Sequence, residues 1–161
     1  MQSDKPVLME GSTERAVQDG YVYATNWQEE PKILFRFDRK GASKVADLIG
    51  WGVAKITPDP TGRYLYYVPP QHGGGEKLGT PIIQYEIKTG KTKVLAFLSE
   101  VFREKFGRDL GGTLCHDIDA SGSQLFIGWQ YVQPYPPPER GAPAAWPITA
   151  LTVVHIPESE R

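Results

Sequence analysis

Three side chains able to do chemistry stand in a row at Cys115-His116-Asp117. A thiol beside an imidazole suggests nucleophilic catalysis, which requires the base to reach the nucleophile at hydrogen-bond distance. Neighbours on a β-strand project to opposite faces, so Cys115 and His116 cannot meet if this stretch is extended. The expectation for Cys115 is therefore a buried thiol. His116 and Asp117 form a polar pair just ahead of a turn, placed to contact a ligand. The same run opens like a calcium loop, with Asp117, Asp119, Ser121 and Gly122 in the D-x-D-x-S-G spacing. An EF-hand loop needs a glutamate at its twelfth position. Gly128 stands there, so a turn is the better reading.

The remaining candidates are weaker. His72 precedes Gly73, Gly74 and Gly75, but the Gly-Lys-Ser/Thr of a phosphate loop is missing and a strand pattern follows. His72, His116 and His155 show no metal-ligand spacing, and no G-x-S-x-G elbow occurs. Glu29-Glu30 reads as a solvated loop pair. Trp51 and Trp129 are candidate platforms for a ligand such as a sugar ring, as are Trp27 and Trp146 more weakly, although strand aromatics are more often core. Tyr135-Pro136-Pro137-Pro138 has the composition of a polyproline II segment or a stiff loop. The expectation is no catalytic residue, no metal and no cofactor, with His116, Asp117, Trp51 and Trp129 as the ligand-contacting candidates.

The composition narrows the partners. Eighteen basic residues against nineteen acidic ones leave a net charge of −1, with no surplus to neutralise a phosphate backbone, so nucleic acid is not an expected partner. Cys115 is the single cysteine, which rules out an internal disulfide and fits a reducing compartment. No apolar run has the length of a membrane span, and the first residues lack a signal-peptide pattern. As it stands the chain reads as cytoplasmic. An export signal would be expected only if sequence ahead of Met1 is missing.

Positioning these residues falls to a repeat. DPTGRYLYYV begins at Asp59 and DASGSQLFIG at Asp119, 60 residues later, with a shorter relative, DGYVYAT, at Asp19. The Asp carboxylate can accept turn N–H groups, Gly tolerates positive φ, and the aromatic, β-branched run after them makes a strand. A second piece recurs at an offset of 50: Ile33, Phe35, Phe37, Ala46 and Leu48 fall on Ile83, Tyr85, Ile87, Ala96 and Leu98, with turns at Gly41 and Gly90. Alternation broken by a glycine turn predicts a hairpin.

The middle unit is predicted to hold strands at Val53–Thr57, Arg63–Val68, Ile82–Ile87 and Thr92–Phe97. The first has Tyr21–Thr25, Ile33–Phe37 and Lys44–Leu48, with an opening strand at Val7–Met9. The last has Thr113–Ile118, Gln124–Trp129 and Ala150–Ile156. The unit boundaries read 7–48, 52–98 and 113–156. One short helix is expected at Glu100–Phe106, capped by Ser99 and ended by Gly107. Tyr131–Pro147, rich in proline, is expected to be a loop.

The Asp59 run, followed by Gln84-Tyr85-Glu86-Ile87-Lys88-Thr89-Gly90-Lys91, resembles the blade of TolB-type, WD-like and YVTN-like β-propellers over roughly Gly20 to Ile156. The resemblance implies an all-β fold of about three four-stranded antiparallel blades, an incomplete ring with one short helix. It carries over no catalytic residue. It implies a non-catalytic scaffold or a module binding a protein, small molecule or carbohydrate. The alternative is part of a propeller enzyme acting on carbohydrate as a lyase or hydrolase. Closed propellers have typically four to eight blades, so further blades or self-association would be needed to close the ring.

Overall fold

The computed structural model describes residues 9–13, 16–26, 31–50, 52–53, 55–70, 75–137 and 148–161. These form three antiparallel four-stranded sheets. The first holds β1 (Met9–Ser12), β2 (Val22–Asn26), β3 (Ile33–Asp38) and β4 (Gly41–Asp47), in that order. The second holds β5 (Thr57–Pro58), β6 (Tyr64–Tyr67), β7 (Pro81–Glu86) and β8 (Thr92–Phe97), with a one-turn helix α1 (Gly75–Leu78) between β6 and β7. Helix α2 (Leu98–Phe106) leads to the third sheet: β9 (Arg108–Leu110), β10 (Thr113–Ile118), β11 (Gln124–Pro134) and β12 (Ile148–His155). A 3₁₀ turn covers Glu158–Glu160.

The middle sheet is covered on both faces. Along β6, Tyr64 and Tyr66 face the third sheet while Leu65 and Tyr67 face the first, as a period of two requires. One core layer joins Tyr23, Leu34 and Leu48 to Val53, Ile56, Leu65, Tyr67, Ile83 and Tyr85. The other joins Tyr64, Tyr66, Val68 and Ile82 to Leu110, Leu125, Ile127, Trp129 and Val132. Sheets packed face to face around successive core layers are blades.

The Asp–Gly turns have matching hydrogen bonds. Asp59 Oδ1 accepts the Tyr64 N–H at 2.7 Å, and Asp119 Oδ1 accepts the Gln124 N–H at 2.8 Å. The Gly62 and Gly122 N–H groups donate to the Asp59 and Asp119 carbonyls at 3.0 and 2.9 Å, with φ of 69° and 73°. Each turn thus delivers its strand in the same register.

Several boundaries differ from the sequence reading. The opening strand of the middle blade is only Thr57–Pro58, because Val53 and Ile56 go into the core without pairing in the ladder. The first blade opens at Met9–Ser12, and residues 7 and 8 lie outside the described part. The segment from Tyr131 is not a loop at its start. β11 continues through a bulge to Pro134, and Val132, Gln133 and Pro134 pair with Leu110, Asp109 and Arg108 of β9. Residues 138–147 of that segment lie outside the described part. The fourth strand of the last blade therefore precedes β10 in the chain.

Helix α2 begins earlier than the capping argument predicted. Ser99 lies inside it, buried, with its Oγ 2.8 Å from Thr80 Oγ1. The Leu98 and Ser99 N–H groups donate to the Thr80 and Gly79 carbonyls at 3.1 Å each, so the helix start is satisfied by the neighbouring loop instead of a side-chain cap. Gly107, at φ 59°, ends the helix as expected. Among the described residues no helix is long and apolar enough to cross a membrane.

Candidate functional site

β10 carries the residues with the most chemistry, and its alternation separates them. His116 faces the middle blade and is 3% exposed, whereas Cys115 and Asp117 project from the other face and are exposed. Both ring nitrogens of His116 have partners on the middle blade. Nε2 lies 3.0 Å from the Lys55 carbonyl and Nδ1 lies 2.9 Å from Thr57 Oγ1. A carbonyl only accepts, so Nε2 carries the proton, and Nδ1 of the neutral ring accepts from the Thr57 hydroxyl. That hydroxyl is also 3.0 Å from the His116 carbonyl oxygen. Burial is the main cause that pushes the His116 pKa down to about 4, and the nearby Lys55 charge acts in the same direction. His116 is thus a neutral pin between two blades, with no ring nitrogen left over for a nucleophile or a ligand.

Asp117 is separated from it. Its Oδ1 accepts the Ile118 N–H at 2.9 Å, and its Oδ2 stands 3.8 Å from Lys55 Nζ at the surface. With Asp117 open to solvent, a pair at that distance contributes little to stability. The two residues do not converge on one cavity, because adjacent positions on β10 open to opposite sides of the sheet.

Cys115 corrects the sequence reading: the thiol is exposed, not buried. It pairs across the ladder with Gly128, where a Cβ would come within 2.9 Å of Cys115 Sγ. With His116 committed to the inner face, the pleat leaves Cys115 the outer one.

Trp129 is 1% exposed and belongs to the core layer between the middle and last blades. Its Nε1–H donates to Thr152 Oγ1 at 2.7 Å, and its ring meets Phe102 of α2 edge-on at 6.4 Å. It offers no open face to a sugar. Trp51, Trp27 and Trp146, as well as His72 and Glu29-Glu30, lie outside the described residues.

Asp119 takes part in the turn with both oxygens. The Ser121 hydroxyl and the Gln124, Ser121 and Ser123 N–H groups bond to it and hold its pKa down to about 2. Among the described residues no three His, Cys, Asp or Glu side chains are grouped to hold a metal.

The sequence did not signal the joints between blades. Gln18 Nε2 donates to the Pro60 carbonyl at 2.9 Å, tying the first blade to the Asp59 turn. Thr113 Oγ1 donates to the Val68 carbonyl at 2.8 Å, and, not between blades but from α2 to the adjoining β9, Arg103 pairs with the buried Asp109 at 2.8 Å. The two Asp–Gly turns lie side by side and, with Tyr66, Glu158 and Arg161, line a cleft of about 280 Å³. These partners lie 42 to 61 residues apart in the chain, except Arg103 and Asp109, so no local motif announces them.

No family model and no curated protein matches this sequence. Solved structures do resemble it in shape. The tricorn protease matches with a TM-score of 0.58 at 16% identity, over all of this chain and 13% of that one. The nidogen/laminin complex matches with a TM-score of 0.55 at 13% identity, over 79% of this chain and 43% of that one. Both contain β-propeller domains. The chain has the fold of a β-propeller arc. Its three blades pack as successive propeller blades do, and it spans less than half the length of either neighbour. At these identities the likeness concerns the fold alone.

Proposed function

We propose that this arc is a non-catalytic scaffold, a segment of a larger propeller ring that binds a protein or small-molecule ligand. The observation that carries the reading is the use made of His116. The one histidine placed beside a thiol and a carboxylate is spent, neutral and doubly bonded, on holding two blades together. Trp129, the described aromatic candidate, is spent on the core. Asp117 is the one described candidate whose side chain is exposed for contact with a ligand. The share of each neighbouring structure that the arc spans supports its being part of a larger ring.

The test is turnover. The purified chain is incubated with neutral and acidic polysaccharides, and reducing ends and unsaturated products are measured. No turnover is expected. Turnover that disappears in His116→Ala but persists in a folded control such as Val101→Ala would overturn the scaffold reading in favour of a carbohydrate lyase or hydrolase.

A further inference from the structure

Among the described residues the first and last blades each leave one sheet face uncovered, and the repeat says what each is built to meet. Registers align the last blade with the middle one. Phe126 pairs with Val153 as Tyr66 pairs with Gln84, and Gly128 pairs with Leu151. Phe126 thus occupies the Tyr66 position and Leu151 the Ile82 position. Tyr66 and Ile82 are 0% and 1% exposed because the last blade covers them. Leu151, in the Ile82 place, is 68% exposed, and Val153, in the place of the 5% exposed Gln84, is 43% exposed. At the other end, Ala24 pairs with Phe35 as Leu65 pairs with Tyr85. Leu65 and Tyr85 are buried against the first blade, whereas Phe35 and Phe37, with ring centroids 6.3 Å apart, are half-buried on a face that none of the described residues seals into a core.

We infer that the Leu151 face of the last blade docks the Phe35 face of the first blade of a second copy, so that two chains close a six-bladed ring. The inference rests on the propeller-arc reading. Its ground is continuity: the arc makes this blade-on-blade interface twice inside itself and, among the described residues, presents the two halves of a third on its outer faces. Such a head-to-tail contact closes when the rotation it imposes completes a circle. Six blades fall within the usual range of about four to eight. Closure would also cover the exposed large apolar side chains on the Leu151 face, which a soluble surface does not otherwise favour.

The experiment is light scattering coupled to size exclusion on the full chain over a concentration series. The expected mass is twice the 17.9 kDa of one chain. Leu151→Glu and Phe35→Glu should each reduce it to a single chain with an unchanged far-ultraviolet spectrum. Val101→Glu, on an exposed position of α2, should leave it at two. Mixing the Leu151→Glu and Phe35→Glu chains should restore a species containing one of each, because one sound head then meets one sound tail. A wild-type monomer at every concentration overturns the inference, with the remaining blades then supplied by other sequence. So does a dimer that survives either substitution. Neither result touches the scaffold reading, which only turnover can sink.

Discussion

Thr57 of the middle blade and His116 of the last are joined across 59 residues of chain by two contacts on one hydroxyl, at 2.9 Å to the ring and 3.0 Å to the carbonyl. The hydroxyl and the imidazole are both buried, so each depends on the other to avoid an unsatisfied polar atom. Thr57→Val keeps the volume and removes the donor. It should destabilise the fold by about 1–3 kcal/mol in a denaturant titration.

The same joint should make stability depend on pH. The folded pKa of His116 is lowered to about 4 from 6.5, so the unfolded chain takes up the proton first. This contribution is complete above pH 6.5 and is lost as pH falls from 6.5 towards 4. The loss should be on the order of 3 kcal/mol at 1.36 kcal/mol per pKa unit. Chemical denaturation of wild type and His116→Gln across this window checks it. The variant should show a flatter profile, and equal slopes would remove His116 as the cause.

Trp129→Phe keeps an aromatic ring beside Phe102 but loses the bond to Thr152 and some volume. The expected cost is about 1–2 kcal/mol. Trp129→Ala should cost about 3–5 kcal/mol. If Trp129 were a ligand platform instead, both variants would melt near the wild-type temperature.

Gly62 and Gly122 take the same left-handed turn position, yet their surroundings differ. A Cβ on Gly62 would lie 2.8 Å from Gln18 Cβ, and one on Gly122 would lie 3.4 Å from Pro60 Cδ. Both alanine variants pay the left-handed penalty of roughly 1–2 kcal/mol. Gly62→Ala should be the worse of the two in thermal melts, because it also pushes the first blade away at Gln18.

Cys115 lies on the same outer face as Leu151, with Gly128 pairing with both. A thiol reagent should label it in the folded Leu151→Glu chain at the rate of an accessible cysteine. In wild type the labelling should slow as concentration rises. Equal rates in both would mean that the face stays uncovered.

The repeat was legible in the sequence because its causes are local. An Asp that bonds its own turn, a Gly at positive φ and an alternating run act within a few residues, so three blades, their hairpins and the end of α2 at Gly107 could be read directly. The same local chemistry read Asp119 as a turn residue and not a calcium ligand. The start of α2 was misread because its N–H partners are the Gly79 and Thr80 carbonyls, from a loop 18 to 20 residues earlier. β9 escaped notice because three residues have no period, and it exists by pairing with the far end of β11. Alternation by itself says that Cys115 and His116 face opposite ways. It does not say which of them faces inward. That was decided by the middle blade, which meets His116 with the Lys55 carbonyl and the Thr57 hydroxyl and leaves Cys115 outside. The sequence by itself determined the blades; which face of each blade is core depended on its neighbour, because burial belongs to the packed pair and not to the strand.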